Sequence, residues 1–358
     1  MTIFNRLNIS QFRNIENLSF SACDQVNLIY GANGSGKTSI LEAIHVLATG
    51  KSFRSTKTAP VIRVGSNELT VFAELGEGLT IGLQKYRNQK PVLKLQGDKQ
   101  SSWVDVARLL PVQVLDSTTF RLLEGSPKER RRFLDWGVFH VEPAFVDHWR
   151  NSRKCIANRN QLLKSSHPDL RQVRAWSVEL AKVATMVDQA RAGYFSRFIP
   201  VFQEVVNTIA EIGDITLHYR RGWDAERDLV EVLQDTENQD LKYGTTQNGP
   251  HRADIVVKHD GISASDVLSR GQQKMLVSAL KLAQGVIQAE NAERSCIFLV
   301  DDLPAELDEG NRQRICRYLQ DMKTQVFLTC VDYTSLRNSL DWGSEVAKFH
   351  VEHGKITN

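Results

Sequence analysis

The spacing of apolar positions changes at a few sharp points along the chain, and those points divide it. Ile3–Ile9 and Asn17–Phe20 read as strands, and Gln25–Tyr30 as a short buried one. Apolar residues at Ile40, Leu41, Ile44, Leu47 and Ala48 then take helical spacing over Ser39–Ala48. Val61–Leu95 alternates polar and apolar residues in short runs broken by Gly65, Gly76-Glu77-Gly78 and Asn88, which predicts an antiparallel meander. Pro111–Leu115 reads as a core strand. From Phe120 the strand signals thin out, and Pro127–Phe139, Pro143–Leu163 and Pro168 to about Glu211 read as helices. Beyond them come a strand at Ile215–Tyr219, a helix at Ala225–Asp235, and a hairpin of Asp254–Lys258 with Ile262–Ala264 turning at Asp260-Gly261. Gln272–Gln288 is helical, with Met275, Leu276, Ala279, Leu280, Leu282, Ala283 and Val286 as its apolar side. Cys296–Val300 is an apolar run of the kind a buried parallel strand carries. A helix at Asn311–Lys323, a strand at Gln325–Thr329 and a hairpin over Phe349–Ile356 close the chain. The pattern predicts an α/β protein with residues 1–119 and 213–358 as two parts of one head and 120–212 as an inserted all-helical lobe.

The junction of the third strand with the first helix carries the densest chemistry. Gly31-Ala32-Asn33-Gly34-Ser35-Gly36-Lys37-Thr38 fills the P-loop pattern, and Ser39 follows in the helix. Glycines let backbone N–H groups turn inward around a phosphate chain, and the helix N-terminus adds partial positive charge. Lys37 is expected to reach the β- and γ-phosphates of a nucleoside triphosphate, and the Thr38 hydroxyl to bind Mg²⁺. Downstream, Cys296-Ile297-Phe298-Leu299-Val300-Asp301-Asp302 runs from five apolar residues into two carboxylates, as a strand ending at the nucleotide would. Asp301 is expected to hold Mg²⁺ through its water shell and Asp302 to orient or deprotonate the attacking water. Lys37, Asp301 and Asp302 are therefore the expected catalytic set.

Leu268-Ser269-Arg270-Gly271-Gln272 resembles the LSxGQ signature of the ABC and SMC-type ATPases. That resemblance implies an ATPase head with a P-loop parallel sheet and an antiparallel meander. It also implies that Ser269, Arg270, Gly271 and Gln272 open a helix and bind the γ-phosphate held by an opposite subunit. Ala305-Glu306-Leu307-Asp308 resembles the D-loop of the same class. Ser10-Gln11-Phe12-Arg13-Asn14 is similar to the opening of SMC heads, which places Arg13 and Asn14 beside the phosphates. Read from its residues alone, the segment is equally a solvated turn. Gln113 stands where these families place a glutamine that senses Mg²⁺ and water. Thr329-Cys330-Val331-Asp332 lacks the switch histidine of ABC transporters, and Thr329 offers a hydroxyl in its place.

Charge sharpens the picture of the insert. Residues 120–212 hold 15 Lys+Arg against 10 Asp+Glu, a net of +5, while the whole chain is +3, so the remainder is −2. Arg130-Arg131-Arg132 and the set Arg150, Arg153, Lys154 and Arg159 concentrate it, with Trp149 alongside. Positions 150, 153 and 154 share a helix face. This is either a surface tracking nucleic-acid phosphates or a solvated basic face. Lys51 and Arg54, after the first helix, are further candidates for DNA. Five scattered cysteines with no C-x-x-C pair point to reduced thiols in a cytosolic protein. Met1–Ser10 does not read as a signal peptide, and no apolar run nears the roughly 20 residues of a membrane span.

Phe120-Arg121-Leu122-Leu123-Glu124-Gly125-Ser126-Pro127-Lys128-Glu129-Arg130-Arg131-Arg132-Phe133-Leu134-Asp135 is similar to the G-x-P-x-x-R-R-x-F-L-D signature of the RecF family, and Gly249-Pro250-His251-Arg252 to its G-P-H-R segment. With the nucleotide motifs in order, the resemblance covers essentially the whole chain. Ser117-Thr118 departs from the family's usual Pro-Glu or Pro-Asp, and Ala253 from an often acidic position. The resemblance implies an ATP-gated homodimer on double-stranded DNA beside single-stranded gaps. It further implies work with RecR and RecO in helping RecA replace single-strand binding protein. A transporter subunit fits less well, because about 230 residues separate Lys37 from Ser269. Long SMC arms would need sustained heptads, which Pro143 and Pro168 interrupt.

Overall fold

A computed structural model describes residues 3–55, 61–117, 121–291, 295–336 and 346–357. Thr118 and Phe120, quoted above, lie outside the described residues. The chain opens with β1 (Phe4–Phe12), β2 (Ile15–Ser21), β3 (Val26–Tyr30), α1 (Lys37–Thr49), β4 (Glu68–Leu75), β5 (Thr80–Tyr86), β6 (Val92–Leu95), β7 (Asp98–Gln100), α2 (Val104–Leu109) and β8 (Val112–Leu115). The middle holds α3 (Arg121–Glu124), α4 (Pro127–Val141), α5 (Phe145–Leu163), α6 (Leu170–Ile209), β9 (Ile215–Arg220), α7 (Leu229–Asp235), α8 (Glu237–Tyr243), β10 (Asp254–His259), β11 (Ile262–Ser263) and α9 (Ala264–Val267). α10 (Arg270–Asn291), β12 (Ile297–Val300), α11 (Leu303–Glu306), α12 (Glu309–Asp321), β13 (Val326–Cys330), β14 (Val346–Glu352) and β15 (Lys355–Thr357) complete it.

These elements form two compact units. The first comprises Met1–Thr119, Val205–Ala210 and Lys274–Asn358, and the second Phe120–Glu204 and Glu211–Gln273. In the first, six strands lie in the order β15-β14-β3-β13-β12-β8. Neighbours run parallel except for the β14–β15 hairpin. β3, β13, β12 and β8 are buried almost throughout, which explains why each is a continuous apolar run. A second sheet, β2-β1-β4-β5-β6-β7, is antiparallel, and β4 and β5 bury every other residue. α1 packs against β13 of one sheet and against β1, β4 and β5 of the other. Its Ile40, Leu41, Ala43, Ile44, Val46, Leu47 and Ala48 are accordingly all buried.

The second unit differs from the all-helical lobe read from the sequence. It contains the three-stranded sheet β11-β10-β9 as well as α3 to α5, α6 up to Glu204, and α7 to α9. Residues 213–273 were expected to return to the head, but they group with the helices. Arg130 of α4 pairs in bidentate fashion with Asp254 of β10 at 2.7 and 3.0 Å and donates to the Gly125 carbonyl at 2.9 Å. Arg131 donates to the Ala253 carbonyl at 2.7 Å. Arg191 of α6 holds Asp135 at 2.8 Å and the Pro250 carbonyl at 2.7 Å. Both segments that resemble RecF signatures thus meet in one structural network, and two arginines of the 130–132 run are spent on it. Arg132, 62% exposed, pairs with Glu129 at 3.0 Å.

Candidate nucleotide site

β3 ends at Tyr30, and the chain turns into α1 through residues 31–36. Gly31 has φ +150° and its N–H donates to the Val331 carbonyl at 3.2 Å; a β-carbon there would fall 2.2 Å from the Val351 carbonyl oxygen. Gly36, the N-cap of α1, has φ +120°, a conformation closed to ordinary side chains. The loop curls round the Lys37 ammonium, which donates to the carbonyls of Gly31 at 2.8 Å and Ala32 at 3.0 Å. β14 and β15 buttress it from outside. Gly354, at the tip of their hairpin, donates its N–H to the Ser35 carbonyl at 2.7 Å. Sequence reasoning gave that hairpin no role.

Because β13 runs parallel beside β3 and β12 parallel beside β13, their carboxyl ends deliver Asp301, Asp302 and Thr329 to the same place. Thr38 Oγ1 donates to Asp301 Oδ1 at 2.9 Å, and Thr329 Oγ1 donates to the same oxygen at 2.8 Å. Burial pushes the Asp301 carboxyl above the ordinary carboxylate range, and those two hydrogen bonds oppose it. Asp302 adopts φ 49°, ψ 48°, and its N–H donates to Thr329 Oγ1 at 2.8 Å. The resulting cleft of about 480 Å³ is lined by Arg13, Asn14, Asn33, Gly34, Gly36, Lys37, Thr38, Ser39, Arg54, Ile62, Val64, Asp301, Asp302 and Thr329. A Thr hydroxyl 2.9 Å from a carboxylate oxygen offers the hard oxygen donors that Mg²⁺ takes.

Arg13 and Asn14 both line this cleft. Asn14 donates to the Gly34 carbonyl at 2.9 Å and accepts from Ser39 Oγ at 2.9 Å, tying the turn after β1 to the loop. Arg13 makes a bidentate pair with Glu42 of α1 at 2.6 and 2.8 Å. Glu42 is fully buried and also accepts from Ser52 and lies 3.6 Å from Arg54. An acid inside an apolar helix was the available signal for this hub, and it went unread. Arg54, considered for DNA, instead faces the nucleotide cleft, whereas Lys51 is exposed at the end of α1.

Gln113 does not sit where a water- or Mg²⁺-sensing residue should. It lies inside β8, paired in register with Phe298, and donates to Gln284 Oε1 at 2.9 Å. The β8 residue that meets Asp301 is Leu115, whose carbonyl accepts the Asp301 N–H at 2.8 Å. At about 3.3 Å per residue, Gln113 stops roughly 7 Å short of that end. Asp116 follows there, and its charge helps raise the Asp301 carboxyl.

In the second unit, Ser269 caps α10. Its backbone N–H donates to Gln272 Oε1 at 2.9 Å, and the Gln272 N–H reaches Ser269 Oγ at 3.3 Å, a reciprocal capping box. Ser269, Arg270 and Gly271 are exposed, and Arg270 pairs with Glu124. On α5, Arg150, Arg153 and Lys154 share an exposed face, and Arg153 stacks over Trp149 at 4.9 Å. Arg159 does not belong with them. It is fully buried and bonds Asp240 at 2.6 Å, Thr246 at 2.9 Å and Ser177 at 2.9 Å. Nine residues beyond Arg150, it lies half a turn round the helix, on the stripe of Ser152, Cys155 and Leu163. That spacing was available in the sequence and excludes it from a phosphate-binding surface.

Comparison with known proteins agrees with this geometry. Residues 3–357 match the family model described as RecF/RecN/SMC N terminal domain. The chain is 43% identical over 356 residues to the DNA replication and repair protein RecF of Pseudomonas fluorescens strain Pf-5, covering 98% of this chain and 97% of that protein. The same identity and coverage hold for RecF of Pseudomonas putida strain W619. Among solved structures, the recombination mediator RecF with ATP, of the RecFOR pathway, superposes with a TM-score of 0.87 at 23% identity, over 99% of this chain and 97% of that one. The Smc head domain of Pyrococcus furiosus, bound to the C-terminal domain of ScpA, gives 0.59 at 14% identity over 100% and 96%. No helix among the described residues is long and apolar enough to cross a membrane. The chain belongs to the RecF family of DNA replication and repair proteins, built on an SMC-type ATPase head.

Proposed function

We propose that this chain is an ATP-switched DNA-binding protein of recombinational and replication-gap repair. The observation that carries the reading is one cleft joining the P-loop, Asp301, Asp302 and the cations Arg13, Lys37 and Arg54. Thr38 and Asp301 would hold Mg²⁺, which when bound neutralises phosphate charge. The Lys37 ammonium takes β- and γ-phosphate oxygens in place of the two loop carbonyls it now bonds. Asp302 orients and deprotonates the attacking water. Ser269 to Gln272 form an exposed helix N-terminus suited to an anion, and by family resemblance that anion is the γ-phosphate on a second copy. Two chains then close head to head around two ATP molecules on double-stranded DNA beside a single-strand gap. Exposed Arg150, Arg153 and Lys154 supply phosphate contacts. Slow, DNA-stimulated hydrolysis reopens the dimer. By kinship with RecF proteins, the chain acts in the cytoplasm with RecR and RecO to load RecA and support the SOS response.

Sedimentation of the purified chain on gapped duplex DNA, with and without ATP and Mg²⁺, tests the whole reading. An ATP-dependent dimer bound to DNA is expected. A monomer that ignores both ATP and DNA would refute it.

A further inference from the structure

The sequence offers the Thr329 hydroxyl in place of a switch histidine, which would put it at the γ-phosphate, but its hydrogen bonds point elsewhere. A hydroxyl has one proton and two acceptor lone pairs. Here the proton goes to Asp301 Oδ1 at 2.8 Å, and a lone pair receives the Asp302 N–H at 2.8 Å. Thr329 is fully buried at the end of β13, and both bonds are partly buried at the floor of the cleft. Asp302 meanwhile sits in the left-handed region, at φ 49°, which aspartate tolerates better than most residues but which still costs conformational energy. It is also the N-cap of α11, a four-residue helix too short to fix its own first residue. From this geometry we infer that Thr329 is a positioning residue: its hydroxyl locks the Asp302 backbone and the Asp301 carboxylate to β13 in one arrangement.

The consequence for chemistry follows from rotation about the backbone. If the Asp302 N–H loses its acceptor, Asp302 relaxes toward ordinary φ, and its side chain leaves the direction the cleft requires. Asp301 is affected less, because Thr38 still donates to the same oxygen at 2.9 Å. Thr329 therefore bears on turnover more than on nucleotide affinity. The inference rests on the reading of Asp302 as the residue that activates water.

The test is single-turnover ATP hydrolysis alongside binding of a fluorescent ATP analogue. Thr329→Val keeps the shape and removes the hydroxyl. We expect its rate to fall about tenfold or more while affinity stays within about threefold, and Thr329→Ser to recover most of the rate. Thr329→Ala serves the same purpose should the valine variant fold poorly, with thermal melting checked for each. Because Thr329 acts through Asp302, Thr329→Val combined with Asp302→Asn should lose no more than Asp302→Asn alone. Full activity in the valine and alanine variants, equal loss of affinity and rate, or independent multiplication of the two losses would each overturn the inference. Normal turnover in Asp302→Asn itself would instead overturn the role given to Asp302.

Discussion

Replacing Arg159 with Met removes a cation that the fold has buried and leaves its partner stranded. Asp240 is also fully buried, and apart from Arg159 Nη1 its carboxylate accepts from the Gln247 N–H at 2.9 Å. Breaking a buried pair by deleting one member costs about 3–5 kcal/mol, because the remaining charge is uncompensated. The lower part of that range applies for two reasons. Asp240 retains one N–H donor, and Arg159 Nη2 is itself without a hydrogen-bond partner among the described residues, so the parent network is not fully satisfied. The second unit has about 150 residues, for which each kcal/mol moves the melting temperature by roughly 2–4 °C. A loss of about 3–4 kcal/mol thus predicts a fall of roughly 6–16 °C in the transition that reports this unit. Differential scanning calorimetry measures it, and ATP affinity read below the transition should be unchanged. At the same temperature, the salt dependence of DNA binding should match the parent, since a buried guanidinium neutralises no phosphate. A melting shift under about 2 °C, or a flattened salt slope with normal melting, would refute the assignment of Arg159 to the core.

Other perturbations separate the parts of the proposed switch. Lys37→Met should abolish ATP-dependent dimerisation, seen by sedimentation, with far-UV circular dichroism unchanged. Asp302→Asn should trap an ATP-bound dimer with little turnover, whereas Asp301→Asn should bind Mg²⁺–nucleotide poorly; equal affinity in both would reverse their roles. Ser269→Arg should bind ATP as a monomer but not dimerise, and ATP-driven homodimers of it would count against a site shared between two copies. Replacing Arg150, Arg153 and Lys154 with Gln should weaken DNA binding irrespective of base sequence and flatten log affinity against log salt by up to about two to three units. An unchanged slope would clear that face.

Much of the nucleotide site was legible because its chemistry is local. A phosphate loop needs glycines, Lys37 and Thr38 within eight consecutive positions, and a strand buried on both faces announces itself as an apolar run ending at Asp301. Helical spacing likewise placed Arg150, Arg153 and Lys154 on one face. Tertiary structure alone decided which distant residues share the cleft. Thr38 and Asp301 are 263 positions apart and meet only because β3, β13 and β12 lie in parallel. The same adjacency turned Thr329 from a phosphate sensor into a clamp on two carboxylates and left Gln113 short of the strand end. Charge counting failed for a physical reason: it cannot tell a solvated arginine from one that a buried carboxylate has drawn inward. Arg130 and Arg159 belong to Asp254 and Asp240, residues that composition shows only as charges elsewhere in the chain. Residues 213–273 went astray for the same cause, since a strand does not carry in its own sequence the identity of the surface that will bury it.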